Sequence, residues 1–400
     1  MKRIGILSIN LQVFSPNYGS TLQSFALWKT LTDFGFDAEI VDYNCVGRRY
    51  LNAKEPFRIF RRWCRPIGNP LWWQYFLNRR SGIRKWKDMQ RFLRTKACVS
   101  PAQLSTEHFE NDRYAAYVIG SDTVWDFRAP QKFDPVYFGA LDCMKKVIAY
   151  APSFGEAVCT PEEAEKMRPM LAKFSALSIR EPVNMEALGP LRDRFSVVLD
   201  PTLLLPRKTY AELATPPKRK TPYLLYYVVY DQNPAVTRKV DAFAKAKGWK
   251  VVEVSLFTQN AHPLFWRIVN GIARRLRLRA PFLLRYGGGS LRHDVRYGAT
   301  TQEFLGLMQG AEMVVTNSFH GSVFAIQFGK PFFNFTRNGV STKIKWICEL
   351  FGLEGRTLGP NDDIHDRPID YANQVYPRLE RLRLESKEYL ERVVKNTLED

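Results

Sequence analysis

No run of apolar residues in this chain approaches the roughly 18–20 that a membrane-crossing helix needs, so a simple transmembrane span is not expected. Its six cysteines, Cys45, Cys64, Cys98, Cys143, Cys159 and Cys348, form no CxxC pair and keep no regular spacing. A zinc site or a disulfide framework needs such spacing, so neither is expected, and a reducing cytoplasm is the simplest setting. The opening residues, MKRIGILSINLQVF, carry only a short apolar stretch and no small-residue cleavage motif. They read as a first β-strand, not an export signal.

Acidic residues are nearly missing from two stretches. From Phe57 to Lys96 twelve Lys and Arg face one acid, Asp88, and from Leu264 to Arg296 eight arginines face Asp294. These balances of +11 and +7 account for almost all of the formal net charge of +19. Both stretches interleave arginine with large apolar residues, as in FRIFRRW, LWWQYF and RRLRLRAPFLL. That pattern suits anionic lipid head groups, and it equally fits solvated faces or a sleeve for an acidic polymer. Nucleic acid would explain the charge too, but no helix-turn-helix, zinc-finger or RNP-type pattern accompanies it. The expected location is cytoplasmic, peripheral to the inner face of the cell membrane.

What is present is a folded chain, 45% hydrophobic over 400 residues. That length exceeds one ordinary core and predicts two domains of about 150–200 residues. Strands are expected at Ile4 to Ile9, Ala38 to Tyr43, Ala115 to Ile119, Lys146 to Ala149, Ala176 to Ile179 and Ser196 to Leu199. Helices are expected over Ser20 to Phe34 and Pro161 to Phe174, with a basic helical insertion at 55–97 lying peripheral to the sheet. The stretch Asp200 to Pro222, rich in Pro and Lys, reads as a hinge. The rhythm then restarts with strands Tyr223 to Val229, Lys250 to Val254 and Met313 to Val315, and helices Pro234 to Lys247 and Thr301 to Gln309. A charged helix over Tyr371 to Leu398 closes the chain. The fold class is therefore α/β: two doubly wound, Rossmann-like domains, 1–205 and 206–400, facing across a cleft.

In such sheets ligands bind at the carboxyl ends of strands, and three polar elbows sit there. The first is Asn17-Tyr18-Gly19-Ser20, the second Gly120-Ser121-Asp122, and the third Asn317-Ser318-Phe319-His320-Gly321. Glycine permits close backbone approach, and a helix N-terminus offers unpaired amides to an anion. Histidine is the side chain best suited to move protons near neutral pH. His320 is thus the leading acid/base candidate and Asp122 a second base or a sugar ligand. Each has a structural alternative: Asp122 can cap the next turn, and Asn317, Ser318 and Ser322 can cap a helix around a satisfied His320. Arg180, Arg337 and Lys343 are the candidate cations for phosphate or carboxylate, although Glu181 offers Arg180 a local partner.

The ordered set NYGSTLQSFALWKTL, FDAEIVDYN, VIGSDTVW, IAYAPSFG, SIRE, DPTLLL and TNSFHGSVFAIQFGKPF resembles the polysaccharide pyruvyl transferase family from about residue 4 to residue 353. Thr123 stands where the family pattern leads one to expect glutamine, and Pro152 where a small residue is usual. The resemblance implies a two-domain fold like that of GT-B glycosyltransferases and phosphoenolpyruvate as donor. It also implies transfer of pyruvate as a cyclic ketal onto a sugar of a surface glycan or lipid-linked oligosaccharide. That chemistry calls for an acid/base group and fixed cations, with no cofactor and no metal expected. Carried onto this chain, His320 and Asp122 would be catalytic. Asn17, Gly19, Ser20, Gly120, Ser121, Arg180, Asn317, Ser318, Gly321, Arg337 and Lys343 would bind substrate. Two rival readings remain at this point: a glycosyltransferase using a nucleotide-sugar donor, and a non-catalytic, membrane-associated glycan-binding protein.

Overall fold

A computed structural model describes residues 3–9, 17–43, 70–100, 113–127, 133–218, 220–229, 233–255, 268, 275, 292–335, 341–359 and 361–399. Side chains of 70–80 and 83 are outside that description, as are Arg337 and most of the second basic stretch.

Short buried runs of β-branched and aromatic residues form the strands. In the first half these are β1 (Ile4–Leu7), β2 (Ala38–Ile40), β3 (Ala116–Ile119) and β4 (Val147–Ala149), all parallel in the order β2-β1-β3-β4. A bridge from Ile148 to Ala176 brings the pair β5 (Leu177–Ile179) and β6 (Phe195–Val197) alongside. In the second half β7 (Tyr223–Val228), β8 (Lys250–Ser255), β9 (Asp294–Val295), β10 (Met313–Thr316), β11 (Phe332–Phe335) and β12 (Thr357–Leu358) pair parallel as β12-β11-β10-β7-β8-β9. Strands buried on both faces read as continuous apolar runs, as MVVT and FFNF do. The strand order reverses between β1 and β3 in one sheet and between β7 and β10 in the other. These are the switch points where a doubly wound sheet leaves a crevice.

The first helix, α1 (Tyr18–Asp33), starts where the Asn17 side chain accepts from the Gly19 amide at 2.9 Å. It is followed by α2 (Pro70–Lys96), the basic insertion, and α3 (Pro161–Leu171), which opens on a Thr160/Glu163 capping box. The described part of the insertion, Pro70–Lys96, is helical, and its C-terminal half is not peripheral. Met89, Phe92 and Leu93 of α2 are buried in the main core, with Phe92 edge-on to Phe25 of α1 at 5.5 Å. Asp88 accepts the Thr301 amide at 2.9 Å, so this helix also reaches the second half.

The stretch expected to be a hinge holds two helices, α4 (Pro201–Leu204) and α5 (Arg207–Leu213). Its prolines do not keep it open because Pro201 sits at a helix start, where a missing amide costs nothing. Asp200 caps that helix, and Leu203, Leu204 and Tyr210 are fully buried. The second half continues with α6 (Pro234–Lys247), ended by Gly248 at φ 68°, then α7 (Thr301–Gly310), α8 (Phe319–Phe328) and α9 (Thr342–Phe351). Buried His293 beside β9 bonds Glu253 of β8 at 2.7 Å and Asp241 of α6 at 2.9 Å, fixing this sheet edge.

The closing helix is α10 (Tyr376–Glu399), entered through a π-turn at Tyr371–Val375. It buries Leu379, Leu390, Val393 and Val394 and returns to the first half. There Ser386 accepts the Leu199 amide at 3.0 Å and the Tyr389 hydroxyl donates to the Leu177 carbonyl at 2.9 Å. Burying four such aliphatic side chains contributes roughly 6–12 kcal/mol before ordering entropy is set against it. Among the described residues, no helix is long and apolar enough to cross a membrane.

Candidate functional site

Both switch points converge on one seam. From the first sheet, α1 begins after β1, and the loop Gly120 to Asp122 follows β3. From the second sheet, α8 begins directly after β10. Phe319-His320-Gly321 form the first turn of α8, capped by Ser318, whose hydroxyl accepts the Gly321 amide at 3.3 Å. The Ser318 amide is likewise used, donating to Thr316 Oγ1 at 3.1 Å. The amides of Phe319 and His320 are therefore the helix-start donors without a partner among the described residues.

His320 is 4% exposed and crosses the seam to lie on Gly19 of α1. A Cβ added at Gly19 would fall 2.2 Å from His320 Nδ1 and 2.3 Å from its Cγ, so only glycine fits beneath the ring. Nε2, the other ring nitrogen, makes no hydrogen bond and faces Asp200 Oδ2 at 3.5 Å, an ion-pair separation longer than a hydrogen bond. Ser20, one residue after Gly19, donates to Asp122 Oδ2 at 2.6 Å. Asp122 takes a positive φ of 69°, and its carbonyl accepts the Val124 and Ser153 amides at 2.8 and 2.9 Å.

Arg180 follows β5 and is buried. Its Nε donates to Glu181 Oε2 at 2.8 Å and one terminal nitrogen to Asp200 Oδ2 at 3.0 Å. The guanidinium also lies 4.0 Å from the centre of the Phe319 ring, next to His320. Burial disfavours its charge, and Glu181, Asp200 and Asp122 more than restore it, raising its pKa. Burial likewise opposes the charge on Asp200, but His320 and Arg180 outweigh that and hold its carboxyl well below the usual range.

The seam thus brings together Gly19, Ser20, Ser121, Asp122, Arg180, Ser318 and His320. Other sequence candidates have local tasks. Asn17 caps α1, and Asn317 Oδ1 accepts the Val229 amide at 2.7 Å, tying the ends of β7 and β10 together. Gly120, at φ 124°, is needed because a Cβ would meet the Tyr150 carbonyl oxygen at 2.1 Å. Gly321 packs as closely against Thr316. Lys343, at the start of α9, is 3.8 Å from Glu156 of the first half; Glu156 also accepts from the Thr342 amide at 3.0 Å. Arg337 lies outside the described residues.

Asp200 was not among the sequence candidates, although it lies at the centre of this cluster. Its signal was an N-cap aspartate before a helix-starting proline, just after a strand, within the block DPTLLL. Composition made that block look like linker.

A family model described as polysaccharide pyruvyl transferase matches residues 17–339, a span holding every cluster residue named above. No curated protein matches the chain. Among solved structures, the UDP-GlcNAc 2-epimerase from Methanocaldococcus jannaschii is 12% identical, with 99% of this chain and 100% of that one covered and a TM-score of 0.45. The UDP-N-acetylglucosamine 2-epimerase from Rickettsia bellii is 10% identical, with 100% and 97% covered and a TM-score of 0.45. Nothing about activity follows from likenesses this remote.

Proposed function

Because the chain belongs to the polysaccharide pyruvyl transferase family, and is therefore a transferase, we propose that it acts on phosphoenolpyruvate. The pyruvyl group passes to two hydroxyls of one sugar, in a surface polysaccharide or its lipid-linked precursor, as a cyclic ketal. Phosphate is released.

The reaction needs a proton delivered to the methylene carbon of phosphoenolpyruvate, which leaves a cation at the central carbon. His320 is the proposed donor. One sugar hydroxyl then adds to that carbon while a base takes its proton, and Asp122, held by Ser20, is the proposed base. Departure of phosphate and attack by the second hydroxyl complete the ketal. The donor's phosphate and carboxylate need fixed positive charge and amide donors. Lys343 and Arg337, with the amides of Phe319 and His320, are assigned that task, and Arg180 adds charge to the same seam.

The observation that carries this reading is the place of His320. It stands at a helix N-terminus on a switch point of the second sheet, against α1 of the first, inside the family-matched span. Incubating the protein with its glycan acceptor and each donor class in turn tests it. Phosphate release from phosphoenolpyruvate supports the proposal; nucleoside diphosphate release from a nucleotide sugar replaces it with glycosyl transfer. Glycan binding without release from either donor points to a non-catalytic protein.

A further inference from the structure

The carboxylate of Asp200 joins the two halves of the molecule, and each of its oxygens has separate work. Oδ1 accepts from the Thr202 amide at 3.0 Å and from the Thr202 hydroxyl at 2.6 Å, which fixes the rotation of the group at the start of α4. Oδ2 accepts from Arg180 at 3.0 Å and from Ser121 Oγ at 3.4 Å, and it faces His320 Nε2 at 3.5 Å. All of this is buried: Asp200 is 2% exposed.

We propose that Asp200 is the positioning residue for His320: it holds the imidazole through Nε2, leaving the Nδ1 edge over Gly19 to transfer the proton. The inference rests on the reading of His320 as the proton donor.

Two observations support it beyond proximity. The first is the orphaned nitrogen. Nε2 is buried with no hydrogen bond, a state that costs stability, and Asp200 is the acceptor facing it. Closing the 3.5 Å gap by a few tenths of an ångström would satisfy it, and such contacts commonly tighten when substrate binds. The second is that Asp200 is itself fixed: Thr202 holds one oxygen, and Arg180 holds the oxygen that faces Nε2, so the carboxylate has a set orientation to pass on to the ring. Of the charged groups in the cluster, Asp200 from the start of α4 faces His320 directly, Arg180 from the end of β5 lies over the neighbouring Phe319 ring, and Glu181 and Asp122 bond Arg180 and Ser20 respectively.

The test uses the full-length protein and nitrogen NMR of His320, assigned by comparison with His320→Ala. In the wild type the neutral ring is expected to carry its proton on Nε2; finding it on Nδ1 overturns the proposal without any change to Asp200. In Asp200→Asn the neutral ring is expected to lose its preference for the proton on Nε2, and kcat for phosphate release from phosphoenolpyruvate should fall about 10²–10⁴-fold with little change in KM. An unchanged tautomer in a folded Asp200→Asn protein overturns the proposal. A changed tautomer in a protein that never releases phosphate upholds the Asp200–His320 contact and removes the pyruvyl-transfer reading instead.

Discussion

At the scale of single residues, the seam turns on the pairing of a ring with a glycine. Alanine is normally the better helix former by about 1 kcal/mol, so Gly19→Ala in an ordinary helix would stabilise it. Here the added methyl would lie within 2.3 Å of two ring atoms of His320, and the ring must move. Gly19→Ala is therefore expected to lose turnover as His320→Ala does, about 10²–10⁴-fold, while His320→Ala folds normally. Thermal melts and donor turnover on both variants check this. Near-normal turnover in His320→Ala would remove that residue from the chemistry. His320 was legible because a histidine in a polar elbow after a buried strand is a local pattern. Its partners were less so. Gly19 and Asp200 are 301 and 120 positions away in the chain, and nothing local says which elbow meets which. Arg180 was legible as a strand-end cation with Glu181 as a rival partner, and in the fold it meets both that partner and Asp200.

At the scale of elements, the strand–helix alternation was readable because apolar runs and helical spacing are local. The helix over Pro234–Lys247 was bounded correctly by its proline start and glycine stop. The helix Thr342–Phe351 and the strand Thr357–Leu358 were not anticipated, and two-residue strands carry no periodicity to find. The basic insertion misled for a physical reason. Its charge count describes a surface, yet on α2 one face is apolar and Lys85 is fully buried. The Lys85 ammonium lies 4.5 Å from the Tyr18 ring centre and 5.4 Å from that of Tyr297, without a hydrogen bond. Burial lowers its pKa from 10.5 to about 7. A lysine shifted downward destabilises the fold as pH drops, because the unfolded chain takes up the proton first. The loss accumulates between ~pH 10.5 and ~pH 7 and reaches on the order of 4 kcal/mol. Lys85→Met should therefore be more stable than wild type near pH 7, with the difference shrinking toward pH 10. Urea denaturation at both pH values measures it, and an equal difference at the two would contradict the assignment.

At the scale of the whole molecule, two parallel sheets meet with their switch points facing one another, and α10 crosses back to hold the first half. That arrangement explains why the cluster draws on five separate places in the chain. It also explains why the ordered family pattern was more telling than any one block: five of its seven blocks each supply a residue to a single seam. The central claim is pyruvyl transfer, and the most direct measurement is the mass of the glycan after incubation with phosphoenolpyruvate and this protein. The account predicts a glycan heavier by one ketal-linked pyruvate, formed in step with one phosphate released. An unchanged glycan with phosphoenolpyruvate intact, from folded protein and its native acceptor, would contradict it.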